Sequence, residues 1–501
     1  MKPGNARIRS TPAQNSAMRL DEYVKYDGLG LAGLVRGGEV SADEVRRCAV
    51  DAARRLNPHL NAIVELFEDR CAGGDPQADA GGVFGGVPYF LKDLGATEEG
   101  RLCEMGSRML RGYVADKTSS LVKRFKKAGM VNLGRTATPE AGFAGTTESA
   151  ATGKTRNPWN LGRSPGGSSG GAAALVASGV VPFAHGSDGA GSIRMPAALS
   201  GLVGLKPSRG RVSFGPDFDE PGLGCAIEFA LTRTVRDTAA LLDAVAGPYP
   251  GDPFVLPRPS GSYLEALAVP SRRLRVAFTT TNWSTGAKVA PVIADAVRRT
   301  AADLEAMGHA VEETDPVFDA RMAYEANRLA FNSMLLLLGP LVAALGGSAD
   351  AEHAEPVILD AYRQMQSMSL GEFFVGTLAF NYVRRQLGEF FETYDVLVTP
   401  TIGVRHLDFD TVDCSSFQTV EAFREAMEAT VAPFTAPFNV TGQPAISLPL
   451  AQADETTPTG VHFVGRMAEE DTLLRLAAAF EELRPWRDRR PALHAGLCAD
   501  L

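Results

Sequence analysis

Two serine sites in residues 162–213 have the surroundings that hydroxyl chemistry requires. Ser168 and Ser169 lie in Gly166-Gly167-Ser168-Ser169-Gly170-Gly171, and Ser192 lies in Gly189-Ala190-Gly191-Ser192-Ile193. Glycine has no Cβ, so the backbone can reach positive φ and approach a ligand closely. A serine among glycines can present its hydroxyl with bare N–H groups beside it, and such groups can hold an oxyanion. An Ala/Val-rich segment (172–177) and a short apolar stretch (180–185) separate the two sites. Two such serines on one unit form a hydroxyl relay, and a relay needs a base.

Three assignments of that base can be weighed. Ser168 and Ser169 each satisfy G-x-S-x-G, the nucleophile-elbow pattern, but that elbow needs a strand entering it. Here Asn157-Pro158-Trp159-Asn160 and Pro165 precede the serines and read as loop. The downstream histidines His309, His353, His406, His462 and His494 fall in unrelated polar or helical contexts, and His185 falls in a short strand. Gly153-Lys154-Thr155 resembles the end of a phosphate-binding loop, yet position 148 is Glu148 where that motif needs glycine. Lys92 remains. It ends the apolar run Val87-Pro88-Tyr89-Phe90-Leu91, which reads as a buried strand. A free lysine has a pKa near 10.4, so serving as a base near neutrality needs a shift of ~3 units, roughly 4 kcal/mol, from burial and hydrogen bonding.

The elements that must position these residues alternate between helix and strand. Ser41 and Glu44 form a capping box for a helix that Asn57-Pro58 should end, and residues 72–82 form a loop. A helix is expected over Leu121–Ala128 and strands over Val131–Leu133 and Leu274–Phe278. Further expected elements are a helix over Ala290–Met307, a mostly helical stretch over 320–390, and a strand over Tyr394–Pro400. Late strands over Asn439–Leu450 and Gly460–Val464 and a helix over Asp471–Leu483 complete the pattern. It predicts one large α/β domain over residues 1–501, with a central mixed or largely parallel sheet covered by helices on both faces. The glycine- and serine-rich catalytic core would span about 80–215, and a helical cover about 320–430.

Composition narrows the class. At 501 residues the chain can bury a large core. A net charge of −9 lacks the basic footprint of a nucleic-acid binder. Cys48, Cys71, Cys103, Cys225, Cys414 and Cys498 are scattered without a CxxC pair, as reduced thiols of a cytoplasmic enzyme would be. The basic N-terminus has no apolar run after it and does not read as a secretory signal. The most apolar segment, Met334–Leu345, is too short to span a bilayer and is interrupted by Pro340. It reads as a buried helix pair or pocket wall, with a greasy substrate channel or a monotopic membrane contact as the alternatives.

Several motifs together, in order, resemble those of the amidase signature family. They are Pro88-Tyr89-Phe90-Leu91-Lys92-Asp93, Gly134-Arg135-Thr136, Thr155-Arg156-Asn157-Pro158-Trp159-Asn160, the paired-serine segment, Gly191-Ser192-Ile193-Arg194-Met195-Pro196-Ala197 and Gly204-Leu205-Lys206-Pro207. Asp395–Thr401 and Gly442–Pro449 are similar to the family's later strands, so the resemblance runs from about residue 20 to 490. Within the family, His185-Gly186, Ala190-Gly191 and Pro437-Phe438-Asn439-Val440 most resemble amidases of the 6-aminohexanoate-cyclic-dimer hydrolase type.

The resemblance implies a Ser–cis-Ser–Lys triad acting on a small-molecule amide, with no metal and no cofactor. Lys92 would be the base, Ser168 the bridging serine on a cis peptide and Ser192 the nucleophile. The N–H groups of Gly189, Ala190, Gly191 and Ser192 would form the oxyanion hole, with Asp188 and Arg194 in support. Ser169 would also support the site, by starting the following helix or by a hydrogen bond within the site, and Trp159 would anchor packing. Alanine at position 190 and serine at position 187 depart from the commoner pattern of glycine and threonine; the Ala190 methyl would narrow the pocket floor or reshape the loop. A glutaminase-type subunit of a tRNA-dependent amidotransferase, or an esterase or aryl-acylamidase, would carry the same triad. No nucleic acid or membrane span is expected, and the oligomeric state, a homodimer included, stays open.

Overall fold

The structure is a computed structural model describing residues 18–452, 454 and 457–497. The basic N-terminus up to residue 17 and Cys498 lie outside the described residues. Apart from a small hairpin at 148–154, eleven strands make two sheets. β1 (Ile63–Leu66), β2 (Pro88–Lys92) and β3 (Val131–Thr136) form the smaller one, with β3 central. The larger sheet holds β4 (Phe183–Asp188), β5 (Val203–Lys206), β6 (Ile227–Thr232), β7 (Arg275–Phe278), β8 (Ala310–Glu313), β9 (Val396–Pro400), β10 (Ala445–Gln452) and β11 (Pro458–Gly465). Its spatial order is β8-β7-β9-β11-β10-β5-β6-β4.

Helices pack against this mixed sheet, the α/β architecture expected from the alternating pattern. Only β8–β7 and β7–β9 are parallel pairs; the other five are antiparallel. The parallel strands are those whose connections run through long helices, such as Pro291–Ala306 between β7 and β8. A short connection instead returns the chain antiparallel, as between β10 and β11.

All five residues of β2 are buried, consistent with a continuous apolar run covered on both faces. β2 packs against β4, and the Lys92 backbone N–H donates to His185 Nδ1 at 3.2 Å. The helix Gly170–Ala177 contains only small and aliphatic residues and is wholly buried, so its N-terminus brings the paired serines into the interior. The main core runs from Leu56 and Phe90 through Leu175 and Leu231 to Leu448 and Phe480. A second apolar cluster joins the 320–430 helices (Leu335, Leu338, Ile358, Phe423) to Phe143 and Met195 of the serine-bearing half.

Two boundaries differ from the sequence expectation. The helix that begins at Ser41 runs through Pro58 to Leu60 and stops at Asn61, at φ +48°. The Asn57 side-chain oxygen accepts from the backbone N–H groups of Ala62 and Ile63, both at 2.8 Å, so the asparagine closes the end without breaking the helix. Residues 439–441, expected as the start of a strand, belong instead to a short helix that Pro437 starts and Gly442, at φ +94°, stops. Strand β10 begins only at Ala445.

The apolar 334–345 segment divides between two helices, Ala320–Leu335 and Leu338–Ala344. The break falls at residues 336–337 and not at Pro340, which occupies the first turn of the second helix, where its missing N–H costs little. By length and composition Ala320–Ala344 is apolar enough to cross a membrane, and 44% of its most apolar window is buried in the protein. The five described cysteines are buried free thiols.

Candidate active site

Lys92 ends β2 inside the protein, 1% exposed. Its Nζ lies 2.7 Å from Ser168 Oγ, 2.9 Å from Ser187 Oγ and 3.0 Å from Ser169 Oγ. Burial pushes the lysine down to about 7, against the opposing pull of Asp188 and Glu228. The Gly167–Ser168 peptide is cis. Ser169 stands at the N-cap position of the helix that follows, and its side chain makes no cap bond. Its hydroxyl turns into the site instead, donating to Ser187 O at 3.2 Å and accepting from the Ser187 N–H at 3.3 Å. Because its single proton goes to Ser187 O, Ser169 meets Lys92 as an acceptor.

Ser192 follows β4 on a loop that Asp188 organises. The Asp188 carboxylate accepts from the backbone N–H groups of Gly191 (2.7 Å) and Ile193 (3.1 Å) and from both Nε and Nη2 of Arg194 (2.9 and 2.8 Å). The guanidinium and these donors hold its carboxyl well below the usual carboxylate range. Gly191, at φ +131°, is required here, since a Cβ would meet Thr435 Oγ1 at 2.5 Å. The backbone N–H of Ser169 donates to Ser192 O at 3.2 Å and ties the two serine loops together.

Of the four N–H groups expected to form an oxyanion hole, that of Gly191 is committed to Asp188. Those of Gly189, Ala190 and Ser192 have no acceptor among the described residues. The Ala190 methyl belongs to the apolar cluster with Met195 and Leu199 and does not narrow the cavity floor. Trp159 Nε1 donates to Ser200 O at 2.9 Å, consistent with a packing anchor.

Several partners were not singled out from sequence. Arg194 reaches Thr435 O and His462 Nε2, both at 3.1 Å, and Asn439 Oδ1 at 2.5 Å. Asn439 Nδ2 donates in turn to Asp188 O and Oδ1. These residues lie about 240 to 270 positions beyond Ser192, and only the helix at 437–441 and strand β11 bring them near. Arg194 and Asp188 are wholly buried, so removing the guanidinium leaves an uncompensated charge. Arg194→Met is therefore expected to lower stability by roughly 3–5 kcal/mol, read as a fall in the urea midpoint. An unchanged midpoint would show that Asp188 does not depend on Arg194.

Ser168, Ser187 and Ser192 open onto one cavity of about 390 Å³. Phe143, Phe331, Met334, Leu335, Leu338 and Leu341 are among the apolar residues of its wall, so the 334–345 segment lines it, and Asp116, Asp188, Asp217 and Glu228 also border it. Phe331 stands edge-on to Phe143, and the Arg424 guanidinium lies 4.6 and 4.9 Å from the two ring centres. A separate, more open hollow of about 640 Å³ lies over Arg54, Asn57, Lys154 and Arg156. Its Lys154 is paired with Asp410 at 2.6 Å and Arg54 with Glu68 at 2.6 Å, while Arg156 Nη1 donates to Leu161 O at 2.9 Å.

The chain matches the sequence profile of the family described as Amidase over residues 44–474. It is 37% identical over 491 residues to 6-aminohexanoate-cyclic-dimer hydrolase of Paenarthrobacter ureafaciens, covering 93% of this chain and 96% of that one. A solved structure of 6-aminohexanoate cyclic dimer hydrolase complexed with substrate superposes with a TM-score of 0.87 at 35% identity, over 94% of this chain and 99% of that one. A bacterial aryl acylamidase superposes with a TM-score of 0.79 at 26% identity, over 95% and 99% of the two chains. The chain therefore belongs to the amidase signature family and is a hydrolase of amide carbon–nitrogen bonds.

Proposed function

We propose that this amidase works through Lys92, Ser168 and Ser192, with an acyl-enzyme on Ser192. The observation that carries the reading is Lys92 Nζ, buried and within 3.0 Å of three serine hydroxyls, with its pKa near neutrality. A neutral amine has two N–H donors and one lone pair. Ser169 accepts one N–H and Ser187 accepts the other, which leaves the lone pair for the Ser168 hydroxyl at 2.7 Å.

Ser168 gives its proton to Lys92 and takes one from Ser192, whose oxygen attacks the amide carbonyl. The N–H groups of Gly189, Ala190 and Ser192 stabilise the resulting oxyanion. Reversal of the relay protonates the leaving amine, and water then releases the acid by the same route.

The aliphatic and aromatic cavity wall supports an uncharged amide with a long apolar chain. The cyclic dimer of 6-aminohexanoate, on which the named relatives act, has that character. A glutamine substrate would bring its carboxylate into a cavity bordered by Asp116, Asp188, Asp217 and Glu228 and by no lysine or arginine among the described residues, which favours a free-standing amidase over an amidotransferase subunit.

A serine-directed fluorophosphonate tests the assignment. Peptide mapping of the inactivated protein is expected to find the adduct on Ser192, in step with loss of cyclic-dimer hydrolysis. An adduct on Ser168 or Ser169 that accounts for the inactivation would reverse the roles of nucleophile and relay.

A further inference from the structure

The carbonyl groups of the 188–191 stretch, which leads into Ser192, are gripped one by one. Its peptides are trans, so each C=O points away from the N–H of the next residue, and whatever holds the oxygen aims the hydrogen. Asn439 Nδ2 donates to Asp188 O at 2.9 Å and Asn327 Nδ2 to Gly189 O at 3.0 Å. Thr435 Oγ1 donates to Ala190 O at 2.5 Å and the Met195 N–H to Gly191 O at 2.7 Å. The N–H groups aimed in this way are those of Gly189, Ala190, Gly191 and Ser192. That of Gly191 goes to Asp188, and the other three have no acceptor among the described residues.

The four anchors differ in what else they do. Asn439 also binds Arg194 and the Asp188 carboxylate, the Met195 donor is backbone, and Thr435 holds the peptide whose N–H already belongs to Asp188. Asn327 holds the peptide that presents the Ala190 N–H. Gly189 O can only accept, so the amide nitrogen of Asn327 faces it. Glycine at 189 puts no Cβ beside that peptide, and the hydrogen bond is what sets its plane. The same amide meets the Cys225 thiol, which burial pushes up to about 11 and keeps neutral.

Asn327 is 3% exposed and lies on the helix Ala320–Leu335, outside the cavity wall. One turn further on, Phe331 lines the cavity and stands against Gly189, where a Cβ would meet its Cζ at 2.8 Å. Three residues before Asn327, Tyr324 Oη donates to Pro433 O at 2.6 Å and fixes the helix to the segment that carries Thr435. The helix thus packs a ring on Gly189 and holds its carbonyl with an amide.

We propose that Asn327 is a positioning residue for the oxyanion hole, acting through Gly189 O to aim the Ala190 N–H at the substrate oxygen. This rests on the reading of Ser192 as the nucleophile. Because the Asn327 side chain does not border the cavity, it adds nothing to the hold on the intact amide. Its effect comes when negative charge develops on the oxygen that the Ala190 N–H faces.

Asn327→Leu keeps nearly the same side-chain volume and removes the donor. With an acyl p-nitroanilide, kcat is expected to fall by about 10- to 100-fold, with KM within about twofold of the parent's. An alkyl trifluoromethyl ketone gives the second readout. Ser192 Oγ adds to its carbonyl carbon, the carbonyl electron pair moves onto oxygen, and the serine proton leaves through the relay. The inhibition constant should weaken by the same factor as kcat/KM. Mispacking of the helix would instead raise KM, since Phe331, Met334 and Leu335 share it. An unchanged ketone affinity, or a loss confined to KM, overturns the inference. If Asn327→Leu does not fold, Asn327→Ala is held to the same two readouts. The nucleophile reading fails separately, since Ser192→Ala protein that still forms the ketone adduct would sink it.

Discussion

Ser192→Ala protein is expected to fold like the parent and to lose turnover by about 10⁴-fold or more, the loss typical of removing a covalent nucleophile. The substitution deletes one oxygen from a side chain that is 5% exposed and borders the cavity, so it neither opens a core void nor disturbs the loop. The Asp188 carboxylate still binds the Gly191 and Ile193 N–H groups, and the Ser169 N–H still donates to the backbone oxygen of residue 192. The backbone donors for an oxyanion therefore survive, and so does the apolar wall that holds the substrate. Calorimetry of the variant is expected to give a Kd for the cyclic dimer, the substrate proposed above, with no heat from turnover. Substantial turnover in a preparation free of parent enzyme would require a different nucleophile.

How much of this could be read from the residues follows from how local the information was. β2, the helix after Ser169 and the serine loops were legible because each is coded by a short run: apolar residues ending in lysine, small residues after glycine, glycine around serine. The 439–441 stretch misled because Val440 and its neighbours suit a strand, while Pro437 and Gly442 act only as terminators and admit either element. The Gly191 N–H was assigned to the oxyanion because sequence gives the loop but not the reach of Asp188 across it. Ser169 stands where both readings put it, at the head of the helix by its position and within the site by its hydroxyl, which Lys92 and Ser187 draw inward. Asn439 lay in a motif that marked resemblance without a role, and Thr435 and His462 carried no signal toward the site, because their roles exist only once β11 and the 437–441 helix are placed beside Arg194.

Lys92→Met should lower kcat/KM by on the order of 10³- to 10⁴-fold, the scale of general base catalysis, and should do so without weakening the fold in the usual way. The parent's activity should rise with pH through about 7 and level off above it, because only the neutral amine accepts the Ser168 proton. Stability carries the complementary signature. The folded lysine sits near 7 against an ordinary value near 10.5, so between those pH values the unfolded chain holds the proton that the folded one gives up. The parent's stability accordingly gains as pH rises through that window, and below about pH 7 the buried amine costs roughly 5 kcal/mol relative to alkaline conditions. Methionine has no such term. Its substitution removes the penalty but strands three serine hydroxyls, so at neutral pH the two effects oppose and the melting temperature should change by only a few degrees. Urea midpoints taken from pH 6.5 to 10 should show the parent gaining on the methionine variant as pH rises. Parallel curves would mean that the lysine is charged in the folded protein, and a charged lysine cannot open the relay.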